Sequence, residues 1–141
     1  MVYQVIYSSK AVGAMTVADL QAILEDARAG NERRQITGAL VYADGAFLQI
    51  LEGAKDSVQE LMHSIAADSR HTDVKVFHEA EVDHRLFGAW TMAYLDGATE
   101  HLSTWLGLPG ASSIDRITVE LSRDSTQAGQ LAGAILRALS P

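Results

Sequence analysis

The order of apolar and polar positions over the first 95 residues predicts strands that alternate with helices. Residues 2–7 (VYQVIY) are β-branched and aromatic, which is typical of a short strand. Thr16 with Asp19 three residues later predicts a capping box at the start of a helix, and Gly30 predicts its end. The apolar stripe of this helix consists of Val17, Leu20, Leu24 and Ala27.

A hairpin is predicted around Asp44 and Gly45, which lie between two apolar runs. Asp-Gly suits the positive φ angles of a type I′ turn, so residues 36–43 and 46–51 are expected to form antiparallel strands.

A second helix and two more strands complete the predicted domain. Residues 57–68 (SVQELMHSIAAD) form the helix, and residues 74–80 and 90–95 form the fourth and fifth strands. The order β-α-β-β-α-β-β, with right-handed crossovers, places both helices on one face of a single sheet. The fold class is therefore α+β, with a ferredoxin-like arrangement. The apolar stripe of the second helix consists of Val58, Leu61, Met62 and Ile65.

The C-terminal third differs in kind from this pattern. We expect a domain over residues 1–95 and a helical extension over residues 96–141, which covers the other face of the sheet or contacts a second subunit. A homo-oligomer is therefore expected. The apolar positions of the extension are Leu131, Ile135, Leu136 and Leu139.

Composition narrows the class of protein. A chain of 141 residues with 48% hydrophobic residues suits one compact domain. The absence of cysteine excludes disulfides and thiolate sites and fits a cytoplasmic protein. No apolar run is long enough to span a bilayer, and the first residues do not resemble a secretory signal. A net charge of −7 without a basic patch argues against a nucleic-acid partner.

Gln49 interrupts the apolar run FLQILEG. Strand alternation places its side chain on the same face as Phe47 and Leu51, where an unpaired amide costs about 1–3 kcal/mol. Gln49 therefore needs partners. The ordinary explanation is a structural hydrogen bond to a loop or to the backbone.

Other polar or large side chains have equally ordinary explanations when each is taken alone. Tyr7 would bond a backbone carbonyl, Asn31 would lie in a turn after the first helix, and Trp90 and Met92 would fill the core.

Their combination indicates a ligand site. We expect the first strand to have a parallel neighbour and to lie beside the hairpin, so that Tyr7 and Gln49 face one slot between the helices. Ile23 or Leu24 on one helix and Ile65 on the other would give the slot apolar walls. A planar heterocycle with polar edges would fit such a slot.

Five spaced motifs resemble the BLUF family, which are flavin-binding sensors of blue light. They are IYSS with Tyr7, GNxxxxITGALVY with Asn31, FLQILEG with Gln49, IAADSRH with Asp68, Arg70 and His71, and FGAWTMAY with Trp90 and Met92. They cover about residues 1–95. One departure is Gly30, where many members carry Asn or His, so one side-chain contact to the flavin edge is missing.

The resemblance implies a role for each matching residue. Tyr7 would be the photochemical electron and proton donor, and Gln49 would bridge its hydroxyl and the flavin. An amide can exchange donor and acceptor ends, by rotation or by tautomerising, so Gln49 would be the two-state element. Trp90 and Met92 would relay the signal. The remaining flavin-binding residues would be Ile23, Asn31, Ile65, Asp68, Arg70, His71 and Met92, with Asp68 and Arg70 near the ribityl–phosphate side.

The same resemblance implies FAD as the cofactor, with FMN possible. It also implies a sensor that is not an enzyme and that acts on a separate partner protein, either through activation or through release.

Three other functions are alternatives to the sensor. An acylphosphatase-like hydrolase would use Asn31 with Arg33 or Arg34, but no glycine-rich anion loop precedes the first helix. The five histidines match no metal-ligand spacing, so surface positions explain them better. A module that only oligomerises would keep the fold without photochemistry, and unlike a flavoprotein it would be colourless.

Overall fold

A computed structural model describes residues 1–43, 45–88 and 90–96 of the chain. The extension predicted beyond residue 96 lies outside these described residues. The elements are β1 Val2–Ala11, α1 Val17–Arg34, β2 Thr37–Ala43, β3 Ala46–Gly53, α2 Lys55–Ala66, β4 His71–Val82 and β5 Ala93–Asp96.

The five strands form one sheet in the order β4-β1-β3-β2-β5. The predicted ferredoxin-like fold is confirmed. The neighbour expected beside β1 was wrong in direction, because β1 pairs with β3 and β4 and both pairings are antiparallel. The hairpin strand β3 lies between β1 and β2, and only β2 and β5 pair in parallel. The sheet is therefore mixed.

Helix α1 begins as the sequence predicts and ends later. The side chain of Thr16 accepts a hydrogen bond from the Asp19 amide, and the Asp19 side chain accepts one from the Thr16 amide. The predicted end at Gly30 is wrong, since Gly30 lies inside the helix and Gln35, with a φ of 56°, ends it. Asn31 consequently lies in the last turn of α1, facing the interior, instead of in a turn after it.

Removal of the Thr16 cap is expected to destabilise the protein without touching the interior. Thr16→Ala removes one of the two reciprocal bonds and should lower the free energy of unfolding by about 1 kcal/mol, measured by urea denaturation. Glu25→Ala, on the exposed side of the same helix, is the control and should change it by less than about 0.5 kcal/mol. Equal effects of the two substitutions would contradict this role of Thr16.

Two glycines explain how the hairpin fits the sheet. Gly45 has a φ of +76° beside the first pair of the hairpin, Ala43 and Ala46, as the predicted turn requires. At Gly38 a Cβ atom would lie 1.9 Å from the carbonyl oxygen of Ile50, so no side chain fits there. The glycine of the ITGALVY motif thus permits close pairing of β2 with β3.

The last described strand is shorter than predicted. Residues 91 and 92 form bends, residue 90 has no regular secondary structure, and β5 begins at Ala93. The carbonyls of residues 90, 91 and 92 accept hydrogen bonds from outside the strand. Trp90 and Met92 therefore precede β5 and do not alternate along it. Within the described part of the chain, no helix is long and apolar enough to cross a membrane.

The hydrophobic core that surrounds Tyr7 lies between the sheet and the two helices. Its buried members come from β1, β2, β3, both helices and the residues just before β2 and β5: Tyr3, Val5, Tyr7, Leu24, Ile36, Leu40, Phe47, Leu51, Val58 and Met92. Alternation along β1 and β3 places Tyr7 and Gln49 on this helix-covered face and Ile6 and Ile50 on the other.

Candidate functional site

Tyr7 and Gln49 lie opposite each other on the two central strands. They are Cα partners in the antiparallel register of β1 and β3. Both side chains are buried, and the Tyr7 hydroxyl donates a hydrogen bond to Oε1 of Gln49. The sequence placed these side chains in one slot, and the structure brings them into direct contact.

The other end of the Gln49 amide reaches Met92. Its Nε2 donates to the Met92 sulfur at 3.4 Å, and Met92 is only 1% exposed. Because the phenol donates to Oε1, the amide nitrogen must face the sulfur. Gln49 thus links Tyr7 to the segment that precedes β5. Trp90 instead packs against Phe87, with 6.4 Å between the ring centroids.

A cleft of about 170 Å³ opens beside this pair, between α1 and α2. A single water molecule occupies about 30 Å³ of liquid volume, so the cleft has room for much more than one water. Ile23 from α1 and Ile65 from α2 provide apolar walls, and Gln49 and Asn31 provide polar groups. The lining residues are Tyr7, Ile23, Asp26, Ala27, Asn31, Leu40, Phe47, Gln49, Leu61, Ser64, Ile65, Asp68, Arg70 and His71.

Asn31 joins the cleft to the segment before β5. Its Nδ2 donates to the carbonyl of Thr91 at 2.8 Å, which leaves the carboxamide oxygen for a ligand. One turn earlier, Nε of Arg28 donates to the carbonyl of Met92 at 3.1 Å. The sequence did not single out Arg28, because a contact across 64 residues leaves no local pattern.

Asp68 and Arg70 form the charged side of the cleft. The Arg70 guanidinium donates to both oxygens of Asp68, with contacts of 2.6 to 3.1 Å, and to Asp26 at 3.1 Å. These hydrogen bonds from Arg70 lower the pKa of Asp68. The pairing stabilises the fold above the ordinary pKa of a carboxyl group and is lost as the pH falls through the lowered value. Asp26 was not expected in the site.

His71 fixes one wall of the cleft. Its Nε2 lies 2.5 Å from the carbonyl oxygen of Ile65, which can only accept, so Nε2 carries the hydrogen. Its Nδ1 lies 2.8 Å from the oxygen of the Ser9 hydroxyl, within hydrogen-bond distance. The ring also meets Tyr7 and Phe47 edge-on, at 6.5 and 6.4 Å between centroids. His71 therefore orients the wall residue Ile65 beside the phenol.

Burial keeps the Tyr7 phenol protonated. Removal of the hydroxyl from water raises its pKa well above the ordinary value, and the negative charge of Asp68 adds to the effect. Tyr7 is thus a hydrogen-bond donor throughout the neutral range.

The raised pKa of Tyr7 predicts how stability depends on alkaline pH. Below about pH 10 the phenol is protonated in both states, and above it only the unfolded state loses the proton. The free energy of unfolding should therefore fall by up to about 1.4 kcal/mol per pH unit from this group. The free energy of unfolding of flavin-free protein, measured between pH 9 and 11.5, should fall more steeply with pH for wild type than for Tyr7→Phe. Equal slopes for the two proteins would contradict the raised pKa of Tyr7.

Comparison with known proteins decides the family. The family model described as "BLUF: Sensors of blue-light using FAD" matches residues 2–93. The chain belongs to the BLUF family. The photoactivated adenylate cyclase subunit beta of Euglena longa is 42% identical over 97 residues, which are 68% of this chain and 11% of that protein. The alpha subunit of Euglena gracilis is 42% identical over 83 residues, or 59% of this chain and 8% of that protein.

Solved BLUF structures share the fold over most of this chain. BlsA in its photo-activated state matches with a TM-score of 0.82 and 28% identity, covering 96% of this chain and 95% of that one. The dark-state structure of the BLUF protein BlrB gives 0.74 and 27%, covering 97% and 96%. A bacterial light-regulated adenylyl cyclase gives 0.66 and 29%, covering 93% of this chain but 35% of its own.

The BLUF assignment confirms the sensor class and the cofactor. The family senses blue light with FAD, and neither the hydrolase nor the purely oligomerising module is favoured. The lining fits a flavin, because Ile23 and Ile65 supply apolar walls from two helices. Asn31 and Gln49 keep hydrogen-bonding capacity for the polar edge of such a ligand. No group of three or more metal-ligating side chains occurs among the residues described here.

Proposed function

We propose that this chain senses blue light through a continuous path from the Tyr7 hydroxyl through the Gln49 amide to a flavin in the cleft. The observation that carries the proposal is the buried contact of the phenol with the amide, on adjacent central strands beside the cleft. A bound flavin would supply the absorption of blue light and accept one electron.

Tyr7 would supply that electron and then a proton. Loss of an electron makes a phenol strongly acidic, so its proton leaves along the hydrogen bond that already exists. That bond ends on Oε1 of Gln49, and as the amide takes up this proton it would release one from Nε2 towards the flavin, so that no net charge stays on Gln49. Burial of both side chains excludes water, which would otherwise compete for the proton.

Gln49 would store the change. If its amide rotates or tautomerises, the group that faces the Met92 sulfur changes from a donor to an acceptor or to a weaker donor. The present contact at 3.4 Å is then lost or weakened, and the Met92 side chain would move. Met92, and through the backbone Trp90, would carry the signal away from the cleft.

The remaining cleft residues would hold the flavin. Ile23 and Ile65 would enclose the ring system, and the carboxamide oxygen of Asn31 would accept from its edge. Asp68 and Arg70 would lie at the ribityl–phosphate side, where Arg70 already pairs with two carboxylates, and His71 would contact the flavin beside Tyr7.

The output would act on a separate partner. The domain would end near residue 95, and residues 96–141 would form the extension that meets the partner or a second subunit. Photoactivated adenylate cyclases contain a matching segment within much longer chains, which supports a sensor that controls another unit. For the chain itself we propose no catalytic activity.

Illumination of the purified protein tests the proposal. The protein should be yellow, and blue light should shift the flavin band to longer wavelength, with full recovery in the dark. A yellow protein whose spectrum does not respond would contradict the sensor function, and a colourless protein that binds no added FAD would contradict the cleft assignment.

A further inference from the structure

Glu52 is a fully buried acidic side chain that the proposed photochemistry does not use. It lies on β3 three residues after Gln49, and strand alternation places it on the opposite face of the sheet. Buried charged residues are rare unless they have partners, so the partners of Glu52 indicate what it does.

Two backbone N–H groups are its main partners. The amide of Leu86 donates to Oε2 and the amide of Phe87 donates to Oε1, each at 2.8 Å. The cross-strand neighbours Gln4 and Thr37 add side-chain contacts at 3.3 Å on either side. The carboxylate of Glu52 therefore fastens a loop to the middle of the sheet.

The loop between β4 and β5 crosses one face of the sheet from edge to edge. Strands β4 and β5 lie at opposite edges of the sheet, so residues 83–92 must pass three strands to connect them. Glu52 holds the loop near its midpoint on the central strand. Arg85 secures the same place, because its guanidinium donates to the carbonyl of Glu52 at 3.0 Å and to that of Gln35 at 2.7 Å.

A short segment that backbone hydrogen bonds hold in place connects Phe87 to Met92. The Trp90 amide donates to the Phe87 carbonyl at 3.0 Å, and the Gly38 amide donates to the Trp90 carbonyl at 3.3 Å. Two residues later, Met92 reaches Gln49. The position of Met92 therefore depends on where Phe87 is fixed, five residues earlier.

We propose that Glu52 is a positioning residue that fixes the loop at Leu86 and Phe87, and so holds the Met92 sulfur against Gln49. The attachment confines light-driven movement to the segment that follows it. This inference rests on the proposed function, in which Gln49 and Met92 carry the signal.

Glu52→Gln tests the inference while it keeps the shape of the side chain. One carboxylate oxygen becomes an NH₂ group, which cannot accept the hydrogen bond from the backbone N–H that faces it. The loop therefore loses one of its two hydrogen bonds from the backbone to residue 52. The red shift should persist, because Tyr7 and Gln49 are unchanged. Dark recovery should slow on the order of tenfold, because the dark state, in which Met92 contacts Gln49, is stabilised less when the loop has lost that hydrogen bond. Glu81→Gln, an exposed acid on β4, should recover at the wild-type rate.

The result that overturns the inference is a folded, flavin-bound Glu52→Gln protein that recovers like wild type. Loss of the red shift in wild type would instead remove the proposed function. The two failures are thus distinguishable.

Hydrogen exchange of the wild-type protein decides the question even if Glu52→Gln does not fold. In the dark, the amides of Leu86 and Phe87 should exchange as slowly as those of the central strands. Under blue light they should stay protected while exchange within β5 becomes faster. Rapid exchange at Leu86 and Phe87 in the dark, or light-induced loss of protection there together with β5, would contradict the attachment.

Discussion

Tyr7→Phe is expected to abolish the light-induced red shift and to leave the flavin bound. The substitution removes only the hydroxyl, so the ring still fills its buried place beside the cleft. Without the hydroxyl, the amide of Gln49 has no proton to receive and no donor on its Oε1. Stability should fall by about 1–3 kcal/mol, because the buried Oε1 of Gln49 loses its donor.

Light-minus-dark absorption spectra of the flavin-loaded variants measure this effect. Tyr42→Phe is the matched control, because Tyr42 packs on Phe47 at 5.0 Å between ring centroids and lies outside the lining of the cleft. It should keep the full red shift. A full shift in Tyr7→Phe would remove the phenol from the proposed path.

Gln49→Leu should have an equally large effect for a different reason. Leucine is close to glutamine in size but offers neither an acceptor to Tyr7 nor a donor to the Met92 sulfur. The phenol could still supply an electron, yet no group would remain to hold the rearranged state. We expect flavin binding with no lasting red shift.

Gln21→Leu serves as the control for the loss of an amide. Gln21 is exposed on α1, so its replacement should leave the red shift and dark recovery unchanged. A stable red shift in Gln49→Leu would show that another group stores the light-induced change, and the two-state role of Gln49 would then be wrong.

Local patterns were sufficient to predict much of the fold. The alternation of strands and helices, the capping box of Thr16 and Asp19 and the turn at Gly45 depend on neighbours in sequence, and each is present. The end of α1 was predicted wrongly because Gly30 can stop a helix but also fits inside one. There the backbone continues to Gln35, which takes the left-handed conformation instead.

The site was predictable only where polar residues interrupt an apolar pattern or match a known motif. Gln49 was found in this way, and the register of β1 and β3 accounts for its contact with Tyr7. Arg28 gave no such signal, and Glu52 lies within the FLQILEG motif but without any sign of its partners. Their partners lie 64 and 35 residues away in sequence, so only the assembled sheet and loop show what they hold.

Infrared difference spectroscopy with ¹³C-labelled glutamine carboxamide tests the proton path most directly. If the Gln49 amide changes its hydrogen bonds under blue light, the light-minus-dark spectrum of wild type should contain an amide band pair that moves with the label. The same pair should be absent from Tyr7→Phe. A wild-type protein that shows the full red shift without any label-sensitive glutamine band would contradict the path through Gln49.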